Sequence, residues 1–472
     1  MLYSDVLKKY TLPDEERVES LYRQALAKNP CKIVVLDDDP TGVQSVNGIS
    51  VYTQWTFESM LKGFEEPGSL FYVLTNSRGM TPAETEMVHE DAARAIAKAS
   101  KACGKPYIIM SRSDSTLRGH YPLETTVLER CMREDGIRVD GEILCPFFKN
   151  GGRFTVGNVH YVKQGDELVP AAETEFARDP SFGYTRSDIP GYIEEKTKGA
   201  FRAGDVVCIS LEELRSLDIS GIRAKLDAVS GFGKVCVNAL DICDIKVFTA
   251  ALFESMAGGK RFMFRTAADL VKVMGGIGDR PLLSREEMVT RDVAAGGLVV
   301  VGSHMAKTTR QLELLLTLEN TVPIAFDSDL VLKGDEALEN EVKRCVALEE
   351  DAMKAGKTAV CYTRRKLLVL DGDTPEEALR RSVRISDSVQ RLVAELSVEP
   401  SFIIAKGGIT SSDIGTKALG VKRALVLGQI LPGIPVWQTD PGSRFPGIPY
   451  VIFPGNVGDE DGLKRAVEIL AK

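Results

Sequence analysis

Three consecutive carboxylates, Asp37, Asp38 and Asp39, follow the apolar run Ile33-Val34-Val35-Leu36 and precede Pro40-Thr41-Gly42. Adjacent acids at the end of a buried strand repel one another unless a cation, a metal ion or a substrate hydroxyl shares them, and open α/β sheets place ligands at such carboxyl ends. Two further apolar runs end in groups suited to an anionic, hydroxyl-rich ligand. Leu74-Thr75-Asn76-Ser77-Arg78-Gly79 supplies hydroxyls, an amide and a guanidinium. Ser111-Arg112-Ser113-Asp114-Ser115-Thr116-Leu117-Arg118-Gly119 adds Arg112 and Arg118, which can grip a carboxylate or phosphate bidentately. Its Ser115 and Thr116 can bond ligand hydroxyls or cap the helix expected near Pro122. Together these strand ends describe a pocket for a hydroxylated acid.

The second half offers a chemistry built from glycine. Val299-Val300-Val301-Gly302-Ser303-His304, Ile404-Ala405-Lys406-Gly407-Gly408-Ile409-Thr410-Ser411-Ser412-Asp413 and Phe453-Pro454-Gly455-Asn456-Val457-Gly458 each run from a strand through a glycine turn toward a helix. Free backbone N–H groups at such turns suit phosphate. None matches GxxxxGK[ST] or GxGxxG, and a tight turn would explain any one of them, but three in one region suggest a nucleotide cradle. The chain has 4 histidines and no HxH or HExxH spacing, so it offers no zinc site. His120, His160 and His304 receive no catalytic role, a lone histidine being more often structural. Asp241 and Asp244 either line a sheet edge or, for Asp241, cap the helix before Ile242.

The elements that must position these groups alternate between short β-rich runs and helix-like segments, the pattern of βαβ units and parallel sheets buried on both faces. In the first half, strands are expected near residues 33–37, 49–53, 70–74, 107–110, 142–145, 205–210, 234–237 and 261–264. A helix follows Thr81, with Pro82 at its first position, Glu84 completing a capping box and Gly104 closing the far end. The segment Pro146 to Tyr161 breaks the alternation with glycine-rich turns and reads as an inserted hairpin or a lid over a site. Met274 to Pro281 concentrates glycine and proline, which places a domain boundary there and divides the chain into residues 1–280 and 281–472. In the second part, strands are expected near 298–301, 358–362, 402–405, 423–427, 436–437 and 450–453, with helices around Leu312, Val342 and Val383. The fold class is α/β, two three-layer α/β/α domains with mainly parallel sheets and an active-site cleft between them.

Composition narrows the partners. The 472 residues are 44% hydrophobic and 27% charged, enough apolar material for real cores. Lys+Arg 59 against Asp+Glu 67 gives a net charge of -8, which argues against nucleic acid or an anionic membrane and for a small-molecule partner. No apolar run approaches the length of a membrane span, and the first residues do not read as a signal peptide, so a cytoplasmic protein is expected. The 9 cysteines show no CxxC spacing and read as free, mostly buried thiols.

Phosphoryl transfer is the simplest joint account of an acid-rich, hydroxyl-binding half and a glycine-rich, phosphate-binding half. At this point the motifs resemble the four-carbon acid sugar kinases: Asp38-Asp39-Pro40-Thr41-Gly42 resembles that family's DDxTG, Ser113-Asp114-Ser115-Thr116-Leu117-Arg118-Gly119 its DSTLRG, and Gly407-Gly408-Ile409-Thr410 its GGxT. The resemblance implies an ATP- and Mg²⁺-dependent kinase acting on the terminal hydroxyl of threonate, erythronate or 3-oxo-tetronate. It places Asp38, Asp39, Thr41, Arg78, Arg112, Ser115, Thr116 and Arg118 around the acid sugar, with Asp38 or Asp39 positioning or deprotonating the hydroxyl. Ser303, Gly407, Gly408, Ile409, Thr410 and Gly455 would contact ATP, the metal ligands are not assigned, and assembly into a homo-oligomer is left open. Pro40, Arg112 and His120-Tyr121-Pro122 depart from the usual motif residues and leave the identity of the acid open. The alternative is a phosphatase of the haloacid dehalogenase type, since Asp37-x-Asp39-x-Thr41 also fits DxDxT, with Asp37 as nucleophile and Asp39 as acid/base. A sugar-acid sensor that binds nucleotide without turnover is a third reading, with no need of three acids at one strand end.

Overall fold

The structure is a computed structural model that describes residues 1–366, 368, 370, 372–455 and 457–471. It contains two compact units, residues 1–42 with 54–278, and residues 43–53 with 279–472. Both are α/β units.

The first unit is built on a parallel sheet whose strands run, side by side, Leu70–Leu74, Lys32–Asp37, Tyr107–Arg112, Phe262–Thr266, Gly141–Cys145, Gly233–Val237 and Val207–Ile209. Lys32–Asp37 and Leu70–Leu74 are buried along their whole lengths, as near-continuous apolar strands must be when helices cover both faces. Those helices fall into two packed groups, Glu15–Lys28, Ile219–Ala228 and Ile242–Ala257 in one, Phe57–Glu65, Pro82–Cys103 and Leu123–Glu134 in the other. Pro82–Cys103 has the ends its sequence calls for. Thr81 accepts from the Glu84 amide within a capping box, and Gly104 closes the helix at φ 68. Asp241 caps Ile242–Ala257, and Asp244 completes that capping box while pairing with Arg215.

The segment expected as a hairpin or lid forms a three-stranded antiparallel sheet, Arg153–Val156, Val159–Gln164 and Glu167–Pro170. Gly157 and Asn158 turn its first hairpin at φ 58 and 68, the left-handed pair that a two-residue hairpin loop requires. This sheet is anchored and not a free flap, for Thr155 and Ala239 exchange both backbone hydrogen bonds, at 3.0 and 2.9 Å.

In the second unit Thr321–Phe326, Thr358–Thr363, Leu298–Val301, Ile403–Lys406 and Pro449–Phe453 pair in parallel in that order. Ile434–Thr439, Arg423–Leu431 and Ile49–Tyr52 then continue antiparallel. Two differences from the sequence reading stand out. Ile49–Tyr52, expected among the strands of the first half, belongs to this sheet, where Ser50 also meets Arg423 at 3.1 Å. Thr321–Phe326 was not expected, and its Pro323 is tolerated because the strand lies at the sheet's edge. Val299, Val301, Ile404, Phe453, Leu463 and Val467 form part of a core that holds the carboxyl ends of the parallel strands in place. Among the described residues no helix is long and apolar enough to cross a membrane, and the cysteines are free thiols.

Candidate functional site

In the first unit, backbone hydrogen bonds tie three strand ends together. The Thr75 amide donates to the Asp37 carbonyl at 2.9 Å, the Arg78 amide to the Asp38 carbonyl at 3.3 Å, and the Asp38 amide to the Arg112 carbonyl at 3.3 Å. Asp37, Asp38, Asp39, Arg78 and Arg112 therefore meet at one edge of the sheet, although the two arginines lie far from the acids in sequence.

The three acids have different fates. Asp37 is buried, with Oδ1 3.4 Å from Arg112 Nη1 and Oδ2 without a partner. Gly42 closes over it so tightly that an added Cβ would lie 1.8 Å from Oδ2. Burial outweighs the Arg112 charge and pushes the Asp37 carboxyl up to about 8, far above the usual carboxylate range. A carboxyl buried under a glycine turn is not the exposed nucleophile that a haloacid-dehalogenase-type phosphatase needs, so Asp37 does not fill that role. Asp38, whose side chain is 2% exposed, is saturated: Oδ1 accepts from Arg78 Nη2 at 2.6 Å, and Oδ2 from Arg78 Nε at 3.1 Å and the Ser113 hydroxyl at 2.5 Å. Burial alone would raise its pKa, but Arg78, with Arg265 and Arg112 behind it, holds Asp38 below the usual carboxylate range. Asp39 is 17% exposed. Its Oδ1 accepts the Thr41 amide at 2.8 Å and hydroxyl at 2.6 Å, while its Oδ2 has the longer contact, 3.3 Å, to Arg78 Nη1. Of the three, Asp39 is the most exposed and the most loosely held by arginine.

The loop after Tyr107–Arg112 carries the remaining groups. Asp114 accepts from Arg118 Nε at 2.8 Å and from the Thr116 hydroxyl. Burial opposes its charge, yet Arg78 and Arg118 hold Asp114 well below the usual carboxylate range. Arg118 also lies 3.6 Å from Asp179 and over the Phe176 ring at 5.1 Å. Ser115 is half-buried, Thr116 is buried with its hydroxyl committed to Asp114, and Arg112 is buried against Asp37. Gly119, at φ 113, has no room for a side chain, since a Cβ would come within 2.7 Å of Ser113 Oγ and 3.2 Å of Asp38 Oδ2. All the residues expected around the acid sugar thus lie at one edge, but Arg112, Thr116 and Asp38 bond inward while Asp39, Arg78, Ser115 and Arg118 remain partly exposed. Sequence reasoning missed Asp114 and Arg265 as members of this cluster. Arg265 is the penultimate residue of the strand Phe262–Thr266, and a cation following the apolar run Phe262-Met263-Phe264 was the signal available.

In the second unit the glycine turns converge. The carboxyl ends of Leu298–Val301, Ile403–Lys406 and Pro449–Phe453 are adjacent, and a Cβ on Gly302 would lie 2.1 Å from Thr410 Oγ1. Gly407 stands at φ 122 with its Cβ position 3.2 Å from Ser303 Cβ, and the Cβ position of Gly455 is 3.1 Å from Ser303 Oγ. Thr308 braces the group, its hydroxyl 3.1 Å from Ser303 Oγ and 3.0 Å from the Gly455 carbonyl. Gly408 begins the short helix Gly408–Asp413, and Ile409 is 70% exposed beside it. Asn456 lies outside the described residues. Next to the turns is a cavity of about 240 Å³ lined in part by Gly302, His304 and Thr410, with Arg381, Ser382, Ile385, Ser386 and Val389 contributed by the helix Pro375–Ala394.

Two cations stand here, Lys406 from the glycine-turn motif and Arg365, which the sequence did not single out. Lys406 is fully buried and donates to the Pro454 carbonyl at 2.6 Å, and burial, with the Lys307 charge, brings its pKa down to about 7. Arg365 donates to the Ser303 carbonyl and to Thr309 at 3.3 Å, while its buried Nη1 has no hydrogen-bond partner among the described residues. Among the described residues no cluster of three or more His, Cys, Asp or Glu could hold a metal ion.

Comparison with known proteins agrees with this division. Residues 33–274 match the family model of a sugar-binding N-terminal domain, and residues 298–463 that of a nucleotide-binding C-terminal domain. The pairing leaves no place for the phosphatase alternative. Among solved structures, a Salmonella typhimurium LT2 protein provisionally named a tRNA synthase aligns with a TM-score of 0.66 at 17% identity, over 92% of this chain and 98% of its own. A Haemophilus influenzae protein, HI1011, of the family DUF1537 aligns with a TM-score of 0.58 at 17% identity, over 93% and 100%. At that identity the two share the fold with this chain. No curated protein matches it.

Proposed function

Since the chain belongs to the four-carbon acid sugar kinase family, with its sugar-binding and nucleotide-binding domains, we propose that it transfers the γ-phosphoryl group of ATP to the terminal hydroxyl of a four-carbon acid sugar, giving the 4-phosphate. The acid is threonate, erythronate or 3-oxo-tetronate, bound by the first unit, with ATP on the second, in a cytoplasmic enzyme. The observation that carries the proposal is the unequal use of the paired acids: Arg78 forks onto buried Asp38 and holds Oδ2 of the partly exposed Asp39 through a single longer contact. Phosphoryl transfer asks little covalent chemistry of a protein, mainly a positioned hydroxyl, a group to receive its proton and neutralised phosphate charge. Asp38 anchors Arg78, Asp39 orients the terminal hydroxyl and takes its proton, and Arg78 and Arg118 attract the substrate's carboxylate. In the nucleotide-binding domain, Ser303, the backbone of Gly407 to Thr410, and Gly455 hold the phosphates, with Arg365 beside them, and Ile409, Ile385 and Val389 offer an apolar wall to the base.

Magnesium has no resident seat among the acids, because the guanidinium of Arg78 already fills the fork between Asp38 and Asp39. It would enter with ATP, as the counter-ion of the phosphates. The test is a phosphorus NMR spectrum of the protein with Mg-ATP and a panel of threonates, erythronates and 3-oxo-tetronates. ADP with a new phosphomonoester supports the proposal. Inorganic phosphate without that ester, or an unchanged spectrum as a sensor would give, refutes it.

A further inference from the structure

Four consecutive backbone carbonyls of the loop 115–118 are each taken by a different side chain. Ser115 O accepts from His160 Nε2 at 2.8 Å, Thr116 O from the Tyr184 hydroxyl at 2.7 Å, Leu117 O from the Tyr192 hydroxyl at 2.8 Å, and Arg118 O from Arg265 Nη2 at 2.7 Å. The donors come from separate elements: His160 from the inserted sheet, Tyr184 from the segment after it, Tyr192 from the helix Ile189–Lys196, and Arg265 from the strand Phe262–Thr266. All four are buried. Because a carbonyl can only accept, His160 must carry its proton on Nε2, and Nδ1 then accepts from the Thr155 hydroxyl at 3.0 Å. Burial brings the ring's pKa down to about 4, which keeps this neutral tautomer in place.

The loop these donors hold is not one the chain would adopt unaided. Leu117 stands at φ 68, a left-handed conformation uncommon for a residue with a side chain, and such strain persists where the surroundings over-determine it. The direction of the hold also matters chemically. Carbonyl oxygens carry partial negative charge and would repel an anionic ligand. With four of them drawn into the interior, the loop is left to meet a ligand with the Ser115 side chain, backbone N–H groups and the Arg118 guanidinium.

We infer that His160, Tyr184 and Tyr192 are positioning residues for the acid acceptor, and that the inserted antiparallel sheet serves as a brace behind the substrate loop. The inference rests on the kinase reading above and deepens it, since it assigns the sheet and its following segment a part in the acceptor site. The rings of Tyr184 and Tyr192 pack edge to face at 5.6 Å, and Tyr121 stacks on Tyr192 at 5.6 Å, so a Tyr→Phe change removes a hydroxyl and keeps the packing.

The experiment compares wild type with the double variant Tyr184→Phe/Tyr192→Phe, and His160→Ala with His160→Gln, whose amide can still donate to Ser115. Read-outs are KM for the acceptor found in the acid panel, KM for ATP, kcat, and amide hydrogen exchange over residues 115–119. Losing two buried hydrogen bonds should raise the acceptor KM about ten-fold, leave the ATP KM unchanged and speed exchange in the loop more than elsewhere. His160→Gln should recover most of what His160→Ala loses. An acceptor KM within two-fold of wild type in the double variant overturns the inference, as does a rise in both KM values together, which would mark a merely structural role. A wild type inactive on the whole panel overturns the kinase reading and this inference with it, so the two failures are told apart by the wild-type measurement.

Discussion

Replacing Asp39 by Asn keeps the size of the side chain and the Oδ1 position that accepts from Thr41, but removes the charge and the proton acceptor at Oδ2. General-base assistance is worth about 10²- to 10⁴-fold, so kcat should fall by that factor, equivalent to about 3–5 kcal/mol of barrier. Little stability should go with it, because Asp39 is partly exposed and holds Arg78 through one long contact. Asp38→Asn separates the two roles. Asp38 takes the Arg78 fork and the Ser113 hydroxyl inside the protein, and breaking a buried pair of that kind costs about 3–5 kcal/mol. The first unit should therefore melt lower, on the order of 10 °C for a domain of this size. The assay is ADP release with the identified acceptor, paired with scanning calorimetry and with ADP titration to confirm that nucleotide binding survives in both variants. An Asp39→Asn protein that keeps more than a tenth of wild-type kcat would refute the assignment of the proton acceptor. So would an Asp38→Asn protein as stable as wild type, for Arg78 would then not be anchored as described.

Gly302→Ala forces a methyl group toward Thr410 Oγ1 from a starting separation of 2.1 Å, and overpacking of that kind costs about 1–3 kcal/mol. ADP affinity measured by titration calorimetry should fall by about 5- to 150-fold while acceptor binding is unchanged. Arg365→Ala should weaken ATP and ADP by about ten-fold or more and leave adenosine unaffected, as expected for a lost charged hydrogen bond to phosphate. Equal losses for all three ligands would place Arg365 outside the phosphate site. His160 has a folded pKa of about 4 against 6.5 in the unfolded chain. Between those values the unfolded state binds a proton that the folded state does not, so stability is lost as pH falls from 6.5 to 4, by about 3 kcal/mol in all. Asp37 has the opposite sign, its raised pKa costing stability as pH climbs from 3.8 toward 8, so the two must be separated by variants. Urea unfolding of wild type and His160→Gln across pH 4 to 6.5 should converge at the acid end; parallel curves would show that His160 does not titrate on unfolding.

What was legible in the sequence was what local chemistry decides. Thr81-Pro82 with Glu84 and Gly104 frames a helix by capping alone, and the structure keeps both ends. The strand ends that deliver Asp37 to Asp39, Arg112 to Arg118 and the glycine turns were legible for the same reason, an apolar run stopping at polar or flexible residues. What escaped depends on partners distant in sequence. Ile49–Tyr52 is a sound strand by composition, but nothing within it says that it pairs with Arg423–Leu431. Thr321–Phe326 escaped because Pro323 argues against a strand unless the strand is known to lie at an edge.

The paired acids show most clearly where sequence stops. Asp38 and Asp39 are neighbours of identical chemistry, and no property of the motif separates them. Arg78 separates them, 40 residues away from Asp38, by spending its fork on one and a single long contact on the other. The same logic holds for the loop 115–118, whose residues advertise hydroxyls and guanidinium groups in sequence while the direction of its carbonyls is decided by His160, Tyr184, Tyr192 and Arg265. A motif thus names the groups that are available, and the residues packed behind it decide which of those groups still face the ligand. A change in those residues could alter acceptor choice with every motif residue intact.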